Sequence, residues 1–221
     1  MDILDFIAFF IYILIFSLIF SVSRKKIKNV ELRTYHKYAF WVKVVACFCY
    51  SIFVLYIVKG GDTMDLYYPE GLNMFKRILN GANSYDLLLG PVENIDPNTL
   101  ANPNQIGYLK DPSNLFAIRF TAILCFLSFG KFLVVNLFYA MIAFTGIWKL
   151  YRFFAEQFPD MRKPFAFAIL LLPTFTFWSS GILKDPLAVS ALGWFTFALF
   201  QLAVEKKNLI RNLLIIIITF Y

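Results

Sequence analysis

Gly60-Gly61-Asp62-Thr63-Met64-Asp65-Leu66-Tyr67-Tyr68 opens the one long polar stretch in a chain otherwise built from apolar runs. About 20 consecutive apolar residues are needed to cross a hydrocarbon core. On the N-terminal side of Gly60, residues 3–22 and 39–58 read as membrane segments; beyond the polar stretch, residues 132–148, 165–178 and 187–204 do the same. The pattern predicts an all-α fold: a polytopic transmembrane helical bundle with one long extracytoplasmic loop that contains a short interfacial helix. Residues 1–221 read as a single transmembrane domain, with 59–114 as the loop within it.

Composition supports this class. The chain is 60% hydrophobic and 16% charged, against about 45–50% and 25% for a soluble domain. No separate soluble domain larger than the loop fits. The many Phe residues (27) suit lipid-facing positions. The net charge of +7 is not a nucleic-acid footprint, because seven Lys and Arg lie between Arg24 and Lys43, beside the single acid Glu31. Such clustering marks a cytoplasmic loop, with anionic headgroup binding a secondary reading. Cys47, Cys49 and Cys125 all lie in apolar runs, so neither a disulfide framework nor a zinc site is expected. His36 reads as solvated or interfacial. The first run lacks a basic n-region and a cleavage site, and reads as a retained helix. The chain stops within a short apolar run, which reads as a truncation.

Charge also orients the chain. Residues 149–164 hold Lys149, Arg152, Arg162 and Lys163 against Glu156 and Asp160. Residues 205–212 hold Lys206, Lys207 and Arg211 against Glu205. Both read as cytoplasmic. The 59–114 stretch carries four basic and seven acidic residues and reads as outside. These assignments agree only if residues 115–129, a short apolar segment carrying Arg119, do not cross, so a re-entrant or in-plane segment is expected, with a tilted or short span as the alternative. The localisation that follows is multi-pass in a membrane.

Within the loop, Pro69 suits a first helical turn, and Asn80-Gly81 a stop. Leu72, Phe75, Ile78 and Leu79 are expected to form the apolar face of a helix lying in the interface. The Asn-, Pro- and Asp-rich stretch from Pro91 to Pro112 reads as irregular loop. A divalent cation there is possible but not indicated, and no metal ligand set is read. Asp62 and Asp65 are the sharpest signal. One reading is helix capping. The other is a general base at the membrane surface, since a carboxylate partly shielded from water has a raised pKa. The turn Trp178-Ser179-Ser180-Gly181-Ile182-Leu183-Lys184-Asp185-Pro186 offers Lys184 either as a snorkelling cation or as a phosphate ligand beside a helix N-terminus, with Asp185 as the helix cap. Arg119 either snorkels or pairs with a phosphate or a loop carboxylate.

These stretches resemble the GT-C class of membrane glycosyltransferases. The matching residues are Gly61-Asp62-Thr63-Met64-Asp65-Leu66-Tyr67-Tyr68, Asn80-Gly81-Ala82-Asn83-Ser84-Tyr85-Asp86, Phe116-Ala117-Ile118-Arg119-Phe120, and the turn ending Lys184-Asp185. Here the acidic loop follows the second helix rather than the first, and the chain matches only the N-terminal part of such an enzyme. The resemblance implies a bacterial inner (cytoplasmic) membrane, and inverting sugar transfer from a polyprenyl-phosphate-linked donor to a glycan or lipid acceptor outside the cytoplasm, in surface-polysaccharide assembly. Asp62 would act as base, with Asp65 assisting or holding a metal. Lys184 and Arg119 would hold the leaving phosphate, with Asp185 beside them, and Tyr67 and Tyr68 would line the substrate groove. A polymerase or flippase-like component and a non-catalytic scaffold are the alternatives. A transporter is disfavoured, because it calls for mid-membrane charge and broken helices.

Overall fold

A computed structural model describes residues 3–204, 206 and 208–220. Glu205 and Lys207, used in the charge reading, and the terminal Tyr221 lie outside the described residues. The described chain is 84% helical and contains no strand. In order the elements are α1 (Ile3–Lys25), α2 (Val30–Ile52, continued by π-helical turns over Phe53–Val58), a π-helical segment Asp62–Tyr67, α3 (Tyr68–Leu79), α4 (Ser84–Leu88), α5 (Ile106–Leu109), α6 (Pro112–Ser128), α7 (Phe132–Gln157), α8 (Arg162–Phe165), α9 (Pro173–Trp178), α10 (Lys184–Ala203) and α11 (Leu209–Phe220).

Four of the described helices are long and apolar enough to cross a membrane: α1, α2 with its π turns, α7 and α10. They mark an integral membrane protein. The expected fifth segment, residues 165–178, is not one helix. It consists of α8, π-helical turns over Ala166–Leu171, and α9, with a break at Leu172, whose ψ is 115°. Pro173 causes the break. It supplies no N–H, and its ring pushes the residue before it out of the helical region.

Side-chain contacts sort the helix ends into two groups. Lys131, just before α7, pairs with Asp5 near the start of α1 at 3.0 Å. At the opposite end, Arg162 of α8 meets Glu31 of α2 at 3.5 Å. Asp62, Asp111 and Asp185 belong to the first group, here the loop end; Arg24, Arg33 and Arg152 belong to the second, the basic end. α1, α7 and α10 run from loop end to basic end. α2 and the broken α8–α9 segment run back. Both ends of α6 stay in the loop-end half: Ser113 meets Lys184 at 2.9 Å, and Gly130, just past the helix, accepts from Tyr68 at 2.8 Å. α3 packs along α6, and Gly71 faces Thr121 so closely that a Cβ there would stand 2.6 Å from its Cγ2.

α7 is the core, with 72% of its apolar window buried against 11% for α1. It runs parallel to α10. Gly146 lies against the Ser190 backbone, and Gly193 against the Gly146 carbonyl. Within lipid, helices gain little by hiding apolar surface from each other, so close backbone approach through small residues supplies the attraction.

Two expectations need correcting. The basic cluster is not a loop from Arg24 to Lys43: α1 ends at Lys25, and Asn29 caps α2 by accepting from the Leu32 amide at 3.1 Å. His36 is not solvated; it is 2% exposed, edge-on to Trp148 at 4.6 Å. α3 buries Glu70, Gly71 and Met74, packs Phe75 edge-on against Phe126 of α6 at 4.8 Å, and leaves Leu79 exposed. Glu70 is buried because its carboxylate accepts from the amides of Ala101 and Asn102 at 3.1 and 2.9 Å, fastening residues 101–102 to α3.

Candidate functional site

A ladder of buried polar groups brings the two signal stretches together. Thr63 donates from its hydroxyl to the Ile182 carbonyl at 2.8 Å and shares a 2.7 Å hydrogen bond with Tyr50. The Ile182 amide donates to Asn136 Oδ1 at 2.9 Å, and Asn136 donates to Ser51 at 3.0 Å. α2, α7, the 60s segment and the turn before α10 are thus joined by hydrogen bonds with water excluded, where leaving one unmade costs about 1–3 kcal/mol. Gly181 allows this approach, since it lies so close to the Tyr50 ring that there is no room for a Cβ.

Asp62, beside Thr63, and Lys184, two residues beyond Ile182, are therefore held at the same clamp. Asp62 is exposed, and among the described residues no hydrogen bond reaches its carboxylate. Lys184 donates to Ser113 at 2.9 Å and lies 3.9 Å from Asp111. Asp185 is exposed in the first turn of α10 and does not cap it: the cap position is Leu183, with no side-chain bond. Tyr67 is 1% exposed and donates to Asn114 at 2.8 Å. Burial first, then the charges of Asp62, Asp111 and Asp185, push its hydroxyl up to about 12. The Ser113 hydroxyl and amide hold the Asp111 carboxyl below its usual range, with Lys184 adding to the effect. Tyr67, buried and neutral, thus feels the charges of Asp62, Asp111 and Asp185, while Lys184 is held against Ser113 and Asp111.

The other expected residues do not join this group. Asp65 Oδ2 accepts from the Gly61 amide at 2.7 Å and closes its own turn. Arg119 donates to the Leu87 carbonyl at 3.0 Å and to that of Gly90, holding the end of α4. The Tyr68 hydroxyl meets the Gly130 carbonyl, and its ring packs on Phe132 at 4.9 Å. Sequence reasoning passed over Thr63, Asp111 and Asn136. For Asn136 there was a signal: a lone amide in an apolar helix needs a partner. Among the described residues no group of three His, Cys, Asp or Glu is arranged to hold a metal ion, and the three cysteines are free.

Comparison with protein-family models, with curated proteins and with solved structures gave no match.

Proposed function

We propose that this protein is an integral membrane glycosyltransferase that moves a sugar from a polyprenyl-phosphate-linked donor to an acceptor hydroxyl on the extracytoplasmic side, in surface-glycan assembly. One observation carries the reading: Asp62, a carboxylate with no hydrogen bond among the described residues, and an ammonium, Lys184, stand on two backbone segments clamped through Thr63 and Ile182. Asp62 takes the acceptor proton while the hydroxyl oxygen attacks the anomeric carbon. The carbon–oxygen bond to phosphate breaks on the opposite face, and its electron pair leaves on the phosphate. Lys184 exchanges its contact with Asp111 for that phosphate and stabilises the growing charge. Tyr67 stays neutral and fixes Asn114 beneath the cluster. The resemblance to GT-C enzymes supports the same assignment, and the basic end then faces the cytoplasm.

Asp62→Asn should lower transfer by about 10²- to 10⁴-fold with insertion and expression unchanged. Lys184→Ala should weaken use of the donor more than of the acceptor. Normal transfer by Asp62→Asn would sink the assignment.

A second reading, a flippase-like component, is favoured by a buried cation beside a broken helix. Lys43 is 2% exposed and donates to the Thr176 carbonyl at 3.3 Å and to Ser179 at 2.5 Å, just past the Leu172 break. Such pairs mark carrier sites in membranes. If that reading holds, Lys43→Met stops glycan translocation and Asp62→Asn does not.

A further inference from the structure

A cavity of about 650 Å³ lies at the basic end, away from Asp62 and Lys184. Its wall carries Lys26, Lys28, Lys149, Arg152 and Arg162 against one carboxylate, Glu156. Glu156 is already paired with Arg152, and Arg162 leans toward Glu31 at 3.5 Å. Lys26 and Lys28 form no ion pair among the described residues. Lys149 is the deepest of the five, eight residues before the end of α7 at Gln157, or about 12 Å along the axis. Its ammonium stands over the rings of Trp194 and Phe197, at 4.6 and 4.4 Å from their centroids. A cation this deep in a membrane helix is costly without a counter-charge.

A second cavity, about 410 Å³, shares Lys149 and Trp194 with the first and continues between α7, α10 and α11, along Phe197, Ile215 and Ile218, with Arg211, Asn212 and Thr219 also in its wall. Polar space rich in unmatched cations thus runs into an apolar groove through one shared wall. A free anion would fit the chamber and leave the groove unused; a neutral lipid would fit the groove and leave the cations unmatched.

We propose that the two cavities form one binding site for an anionic glycerophospholipid, its phosphate headgroup in the chamber and an acyl chain along the groove. Basic pockets between membrane helices suit such headgroups. Lys149 bridges the two parts, placing its ammonium under the phosphate and its methylenes along the chain. Trp148 and Trp194 line the chamber at the polar–apolar boundary, where amphipathic rings sit well. This site is independent of the proposed sugar transfer.

The test is tryptophan quenching in phosphatidylcholine vesicles doped with phosphatidylglycerol carrying dibrominated acyl chains, compared with equally brominated phosphatidylcholine. The full chain should be quenched preferentially by the phosphatidylglycerol, and Trp194→Phe should remove most of that preference. Lys26→Gln/Lys28→Gln should reduce it about fivefold for each lysine removed, and Lys26→Arg/Lys28→Arg should retain it. Lys25→Gln/Lys163→Gln removes the same charge from the same end, at exposed positions outside the chamber wall, and should leave the preference intact. Equal quenching by the two lipids, or equal loss in the two glutamine pairs, overturns the site in favour of general surface attraction. Abolition of the preference by inorganic phosphate overturns the lipid in favour of a free anion.

Discussion

At the scale of single residues, Tyr67 reports on the whole loop-end cluster. Its hydroxyl titrates near 12 rather than 10 because it is buried and faces Asp62, Asp111 and Asp185. Below pH 10 the group is neutral in both folded and unfolded chains and contributes no pH dependence. Between about 10 and 12 the unfolded chain gives up the proton and the folded one keeps it, so stability falls as pH rises through that window. A phenolate absorbance titration of the wild type minus Tyr67→Phe should show one hydroxyl ionising near 12, and the variant should lose stability less steeply above pH 10. A Tyr67 that titrates at 10 would mean that its hydroxyl is neither buried nor faced by the three carboxylates. Lys43 shows why some residues were misread. Charge counting along the chain grouped it with the basic cluster, yet its own helix carries it well past Lys37 into the bundle. Its partners, Thr176 and Ser179, are more than 130 positions away. Local composition carries no trace of such a contact.

At the scale of elements, what could be read locally was read well. α3 starts with Tyr68-Pro69 and is capped at Asn80, with Gly81 at φ 92°, because proline and glycine impose those conformations on their own. An apolar stripe shows which side avoids water and not which residue is small enough to touch a neighbour. Gly71 meets Thr121 of α6 where no Cβ would fit, while Phe75 packs its ring edge-on against Phe126 of the same helix. The break at Leu172 was written in Pro173 but was outweighed by the apolar run around it. The α7–α10 seam follows the same logic as Gly71, and it gives a direct test. Gly146→Ala puts a methyl group into the Ser190 backbone and should destabilise by about 1–3 kcal/mol, as overpacking does. Gly107→Ala, which meets nothing within 4 Å, should be neutral or slightly stabilising. Thermal unfolding in detergent, with both variants measured side by side, decides it; equal midpoints would remove close helix approach as the basis of the seam.

At the scale of the whole molecule, charge segregation and the number of crossings depend on each other. The acidic loop end and the basic end separate cleanly only because α6 begins and ends in the same half as the Asp62 cluster. The expected orientation therefore rests on one helix of 17 residues. Arg119 is the eighth of those residues, at the helix centre rather than near its start, and its guanidinium is fastened to the carbonyls of Leu87 and Gly90. The consequence concerns biogenesis. While the chain is being made, the insertion machinery meets α6 before α7 exists to pack against it, and only the side chains of α6 itself argue against threading it across. A central arginine costs insertion about 3 kcal/mol. Arg119→Leu should therefore divide newly made chains into two populations of opposite handedness with respect to the bilayer from α7 onward. A cysteine at Asp160, exposed at the basic end, should react with an impermeant maleimide in intact cells only in the Arg119→Leu background; no gain in labelling would mean that α3, already made, restrains α6 without help. One side chain that never touches Asp62 or Lys184 would then decide whether the two are ever built on the same side.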